Sequence, residues 1–175
     1  MRTVNVKVEL NEKIEFLSAL QQAGLKLSDT ILQHDRVFRG TQPDKKLIVR
    51  TETSPDGLQS YYLIYRQFSA NDSTLLNYTT SVTNYEQTVR IIHGLGYKLV
   101  AEVDKQRQRV DITDTISLCF DKAKGLGEYI KLERAVSKDD NLNWVRADLA
   151  EALKALGISE GAKLASAYSD MTVKK

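Results

Sequence analysis

The chain of 175 residues contains a single cysteine, Cys119, and only two histidines, His34 and His93. One cysteine excludes an internal disulfide and a multi-cysteine zinc site, and it suits a reducing compartment, so a cytoplasmic setting is expected. Charge of one sign is also scarce: 25 Lys and Arg against 23 Asp and Glu leave a formal net charge of +2. Such a balance excludes a chain that coats nucleic acid or anionic membrane, so any anion site must be local. The opening "MRTVNVKVEL" has no apolar core of signal-peptide length, and no segment approaches the roughly 18 apolar residues that span a bilayer. Neither a membrane nor a nucleic-acid partner is expected. Neither histidine has an identifiable catalytic partner, and both are expected at the surface. Cys119 reads as a small packed residue rather than a nucleophile.

What is present is alternation. In "TVNVKVEL", residues 3–10, Val4, Val6, Val8 and Leu10 share one face, and Thr3, Asn5, Lys7 and Glu9 share the other. A period of two with β-branched residues predicts a half-buried strand. "NEKIEFLSALQQAGL" follows, with Ile14, Leu17, Leu20 and Leu25 at helical spacing, Asn11 as N-cap and Gly24 as stop. Strands are predicted in "TILQHDRVFRG", "KKLIVRTE" and "QSYYLIYRQFS", separated by the turn residues of "TQPD" and "TSPDG", with extended chain to about residue 82. A helix begins at Asn84 and ends at Gly94 or Gly96. Further strands are read in "YKLVAEVDKQRQRVDI", "ISLCFDKA" and "GEYIKLERAV", and final helices in "LNWVRADLAEALKALGI" and "GAKLASAYSDM". Trp144 is expected to pack between helix and sheet. With 42% apolar and 27% charged residues, the chain reads as one α+β domain over residues 1–175.

Several strands carry an ionic face: Lys46, Arg50 and Glu52 on one, Arg66 on the next, then Lys105, Arg107 and Arg109, then Asp121, then Lys131 and Glu133. Two arrangements account for this. A flat antiparallel sheet turns its polar face to solvent and rests its apolar face on helices. A closed sheet turns the charged faces into a lumen and covers the apolar outside with helices.

Several motifs, in order, resemble the CYTH superfamily, the triphosphate tunnel metalloenzymes, and in particular its class IV adenylyl cyclase branch. "GLGYKLVAEVDKQRQRVDI" is similar to that branch's basic strand with a Lys-x-Arg core, here Lys105 and Arg107. "ISLCFDKAKGLGEYIKLE" is similar to its next two strands, and "QHDRVF", "LIVR" and "ASAYSDM" resemble further segments. The resemblance implies a closed antiparallel eight-stranded β-barrel with a charged lumen and helices outside. It also implies that basic residues grip a triphosphate carrying roughly three to four negative charges, which Arg meets with paired hydrogen bonds. The phosphate-binding positions it implies are Lys7, Arg50, Arg66, Lys105 and Arg107, with Arg109, Arg39 and Lys131 as additional ones. Replacing Lys105 and Arg107 together is expected to abolish binding and leave the fold intact.

The first strand departs from the family. There the resemblance expects Glu-x-Glu-x-Lys, and this chain has Thr3 and Asn5 before Lys7. A later Glu-x-Glu reads Lys131 and Glu133 here. Asp121, Glu133 and Glu52 remain as oxygen ligands for the Mg²⁺ or Mn²⁺ that the family implies. Exchanging Glu for Lys beside a cation alters the interaction by several kcal/mol, so metal binding is expected to be weakened or moved. The expected ligand is a nucleoside triphosphate, another organic triphosphate or polyphosphate. Metal-dependent processing, by cyclase or triphosphatase chemistry, stands beside non-catalytic binding and a structural role with a vestigial tunnel. A homodimer is compatible with the sequence.

Overall fold

The computed structural model describes residues 1–71, 74–159 and 164–172. Among them the chain runs β1 (Arg2–Glu9), α1 (Lys13–Gln22), β2 (Ile31–Arg39), β3 (Lys45–Thr53), β4 (Gln59–Ser69), β5 (Thr74–Val82), α2 (Tyr85–Gly94), β6 (Lys98–Asp111), β7 (Ile116–Ala123), β8 (Gly127–Ala135), α3 (Leu142–Ala155) and α4 (Tyr168–Thr172). The strands close into a barrel in the order β1-β5-β4-β3-β2-β6-β7-β8, and every pairing is antiparallel. β1 closes it, pairing with β8 from Thr3 to Glu9 and with β5 at Arg2 and Thr3.

Closure decides between the two arrangements left open by the alternation. The apolar faces of β1, β2, β3, β7 and β8 point outward under helices, while Val37, Ile48 and Ile64 pack together inside the barrel. Phe16 and Leu20 of α1 and Val145 and Leu149 of α3 pack on Val4, Val8, Leu118, Phe120, Ile130 and Leu132 of β1, β7 and β8. Val89 and Ile92 of α2 pack on Phe38 and Val49 of β2 and β3. Asn84 caps α2, its side chain accepting from the Gln87 N–H at 3.0 Å, and Asn141 caps α3 in the same way. Gly96, with φ +85°, turns the chain out of α2, and Gly125 and Gly127 (φ +73° and +125°) build the β7–β8 turn.

Some expectations fail. α1 buries Phe16 and Leu20, leaving Ile14 at 81% exposed, because the helix starts at Lys13 with no side-chain cap from Asn11 and presents a different stripe to the barrel. Trp144 is 74% exposed: α3 docks through Val145 and Leu149, and Trp144 points away from them. The helix predicted in "GAKLASAYSDM" is confined to Tyr168–Thr172. Leu164 instead bridges Val8, and the Ala165 N–H bonds the Lys7 carbonyl at 2.9 Å, since β1 offers backbone partners that outweigh local helix preference. Residues 161–163 of that prediction lie outside the described residues. No helix among the described residues is long and apolar enough to cross a membrane.

Candidate functional site

The lumen holds a cavity of about 540 Å³, within the roughly 300–1,000 Å³ range of small-molecule sites. Its wall includes Asn5 and Lys7 of β1, Arg39 of β2, Lys46 and Arg50 of β3, Arg66 of β4, Lys105 and Arg107 of β6, and Lys131 of β8. Strand periodicity brings them together: each is on the inward set of its strand, so closing the sheet gathers cations that are far apart in sequence. The segment from Ala165 to Asp170 covers one end. There the Lys7 ammonium donates to the Ser166 carbonyl at 3.0 Å and lies 3.5 Å from the centroid of the Tyr168 ring. Arg39 pairs with Asp170 at 2.6 Å, and Lys46 donates to the Ser169 hydroxyl at 3.3 Å.

Two of the cross-strand pairs are matched in charge. Asp35 sits opposite Arg50 in register and accepts from Arg50 Nε at 2.6 Å, Arg50 Nη2 at 2.9 Å and Lys105 Nζ at 2.6 Å. Burial alone would raise the Asp35 carboxyl; Lys105 and Arg50 reverse this and hold it well below the usual carboxylate range. Asp121 sits opposite Arg107, accepts from its Nε and Nη2 at 2.6 Å each, and also takes the Tyr168 hydroxyl at 2.7 Å. Here too burial is outweighed, by Arg107, and the Asp121 carboxyl is lowered. The Arg107 guanidinium is raised, because its bonds to Asp121 outweigh its burial.

Two other pairs are mismatched. Lys7 faces Lys131 directly across β1 and β8, and Lys46 faces Arg66 directly across β3 and β4. Like charges in that position repel and destabilise a sheet. Burial, then Lys131, pulls the Lys7 ammonium down to about 7. Burial, then Arg50, pulls Arg66 down to about 10. Lys46 and Lys131 are likewise lowered by burial. Lys131 bonds Glu133, two residues along its own strand. Lys7, Lys46 and Arg66 form no ion pair with a carboxylate among the described residues. The lumen therefore carries cations that no described carboxylate contacts directly. Asp121 attracts Lys7, Asp170 attracts Lys46, and Asp35 and Glu133 attract Arg66 only through space, and Arg66 donates to the neutral Asn77 Oδ1 at 3.3 Å.

Of the positions expected from the sequence, Lys7, Arg50, Arg66, Lys105, Arg107, Arg39 and Lys131 meet in the cavity wall. Arg109 does not. Its guanidinium is exposed and pairs with Asp111 at 3.1 Å, outside that wall. Glu52 also lies outside it, accepting from Gln33 Nε2 at 2.5 Å and standing 3.7 Å from Arg50. Asp35 and Lys46 line the cavity without belonging to the expected set. The signal for Asp35 is present in the alternation of Gln33, Asp35 and Val37, which face inward together.

The residues present do not fit a divalent cation. Thr3 is fully buried and its hydroxyl donates to the Leu75 carbonyl at 3.3 Å, so it offers no anionic ligand. Both oxygens of Asp35 and of Asp121 are occupied by cationic donors or a hydroxyl, and Glu133 is bonded to the ammonium of Lys131. Among the described residues no group of three His, Cys, Asp or Glu side chains converges as a metal site. Hard cations need such oxygen clusters.

Comparison with known proteins gives a consistent picture. The CYTH domain family model matches residues 1–168. The chain is 26% identical over 178 residues to the protein named "Putative adenylate cyclase MJ0240" of Methanocaldococcus jannaschii, covering 98% of each. Its fold resembles the PH1819 protein of Pyrococcus horikoshii, with a TM-score of 0.83, 20% identity and 99% of each chain covered. It also resembles a Hippeastrum protein described as a "putative adenylyl cyclase" that "reveals a dominant" triphosphatase activity, with a TM-score of 0.62, 14% identity and 99% and 95% coverage.

Proposed function

The chain belongs to the CYTH domain family, and on that premise we propose that its tunnel binds the triphosphate chain of a nucleoside triphosphate or another polyphosphate anion. The observation that carries this reading is the pair of like-charge contacts, Lys7 with Lys131 and Lys46 with Arg66, held face to face in one cavity. A sheet tolerates such pairs when an anion lies between them, because each cation then meets phosphate oxygens instead of its neighbour. Arg50, Lys105 and Arg107, fixed by Asp35 and Asp121, form rigid walls around that position.

Calorimetric titration with inorganic tripolyphosphate, ATP, GTP and thiamine triphosphate tests the reading. Saturable binding of at least one is expected, and saturable binding of none overturns it. Binding is also expected to weaken as pH rises above 7. Burial pulls the ammonium groups of both Lys7 and Lys105 down to about 7, and an anion favours the charged form of each. Each complex formed above that pH therefore takes up a proton, and affinity falls by up to about ten-fold per pH unit. The heat of binding should then vary with the ionisation enthalpy of the buffer. Affinity that stays flat from about pH 6 to about pH 9 contradicts this role for Lys7.

Turnover of the bound triphosphate is the second reading, favoured by the names of the archaeal and Hippeastrum relatives. Mass-spectrometric analysis of products with and without Mg²⁺ separates it from binding alone.

A further inference from the structure

The tunnel's carboxylates and ammonium groups also bear on the form of the ligand. We infer, building on the proposed triphosphate site, that the tunnel takes the polyphosphate anion free of divalent metal, with the Lys131 ammonium supplying the charge that a metal ion bound to the phosphates would otherwise bring.

Three observations support this. Lys131 lines the cavity directly opposite Lys7, so its charge is delivered to the lumen from the protein wall. Its own bond to Glu133 ties up the nearest carboxylate that could hold a metal. Asp35 and Asp121, the other buried carboxylates, each receive three donors, so recruiting either to a metal would require breaking ion pairs and placing a divalent ion beside Arg50, Lys105 or Arg107. A polyphosphate complexed with Mg²⁺ arrives with less negative charge and finds no oxygen cluster to hold the metal. The fully charged free anion gains more from Lys7, Lys46 and Arg66, which contact no carboxylate among the described residues, and from Lys131, which it shares with Glu133.

The test is calorimetric titration of the full chain with inorganic tripolyphosphate, once in EDTA and once with Mg²⁺ in excess. Affinity at least about ten-fold higher in EDTA is expected. Equal or tighter binding with Mg²⁺, or binding that requires it, overturns the inference while leaving the triphosphate site standing. Absence of binding in both, by a protein that melts cooperatively, overturns the triphosphate site and the inference with it. Lys131→Glu is expected to invert the preference, with weak binding in EDTA that Mg²⁺ restores. Lys131→Met, which keeps the chain's apolar stem, is expected to lose affinity in EDTA and gain nothing from Mg²⁺. A Lys131→Met protein that binds like the parent in EDTA contradicts the assignment of Lys131. Titration with Mn²⁺ alone is expected to give no saturable heat in the parent, and a stoichiometric Mn²⁺ site also contradicts the inference.

Discussion

Lys46→Met/Arg66→Met is expected to bind tripolyphosphate at least about 100-fold more weakly than the parent and, without ligand, to melt a few degrees higher. The two side chains lie opposite each other across β3 and β4 and line the same cavity. A hydrogen bond to a charged group contributes about 1.5–3 kcal/mol; removing two such bonds weakens binding by a factor of about 100 or more. The gain in stability comes from the same pair. Opposed like charges cost roughly 0.2–1 kcal/mol, and methionine retains most of the apolar stem. Relief of that repulsion raises Tm by about 2–4 °C per kcal/mol in a domain of this size. Residues kept for stability lower Tm when removed; residues kept for an absent anion raise it. Differential scanning calorimetry with and without tripolyphosphate reads both effects, and a lower Tm in the ligand-free variant contradicts a ligand-binding role for the pair.

The opposite outcome is expected for Lys105→Ala/Arg107→Ala. Periodicity places these residues on one face of β6, and the family resemblance implies that their loss costs only binding. The structure points to a further cost in stability, because each bonds a buried carboxylate: Lys105 bonds Asp35 at 2.6 Å, beside Arg50, and Arg107 bonds Asp121 at 2.6 Å as the one cation bonded to it among the described residues. Removing Arg107 costs about 3–5 kcal/mol, since Asp121 stays buried with only the neutral Tyr168 hydroxyl bonded to it. Asp35 without Lys105 keeps both bonds from Arg50, so the loss of Lys105 costs less. The loss is a large fraction of the stability of a typical domain, about 5–15 kcal/mol. The double variant is expected to unfold at a much lower urea concentration than the parent. Adding Asp121→Asn, which removes the stranded charge, should restore much of the stability. A double variant as stable as the parent would show that Asp121 is neutralised by another group.

These two expectations separate what was legible in the sequence from what was not. The strand faces were legible because a period of two is local: Thr3, Asn5 and Lys7 could be assigned to one side of β1, and Lys131 and Glu133 to one side of β8, from spacing alone. Closure of the sheet was not legible from alternation, which suits a flat sheet equally; it was expected from the motifs that resemble the CYTH superfamily, and the pairing of β1 with β5 and β8 bears it out. Which cations are paired and which are not depends on register, a cross-strand property. Arg50 and Arg66 look alike in sequence; only register shows that Arg50 faces Asp35 while Arg66 faces Lys46. Leu164 and Ala165 show the same limit at the C-terminal end, where backbone bonds to β1 displace a helix that the local sequence favours.

The central claim is that an anion settles among cations that no described carboxylate contacts directly, and Lys7 reports on it most directly. In protein labelled with ¹³C-lysine, NMR titration follows the protonation of Lys7, which burial and Lys131 pull down to about 7 in the free protein. With saturating tripolyphosphate the midpoint is predicted to move up by at least about one unit, as expected for an ammonium that gains a phosphate partner. A Lys7 midpoint unchanged by saturating tripolyphosphate would contradict the account.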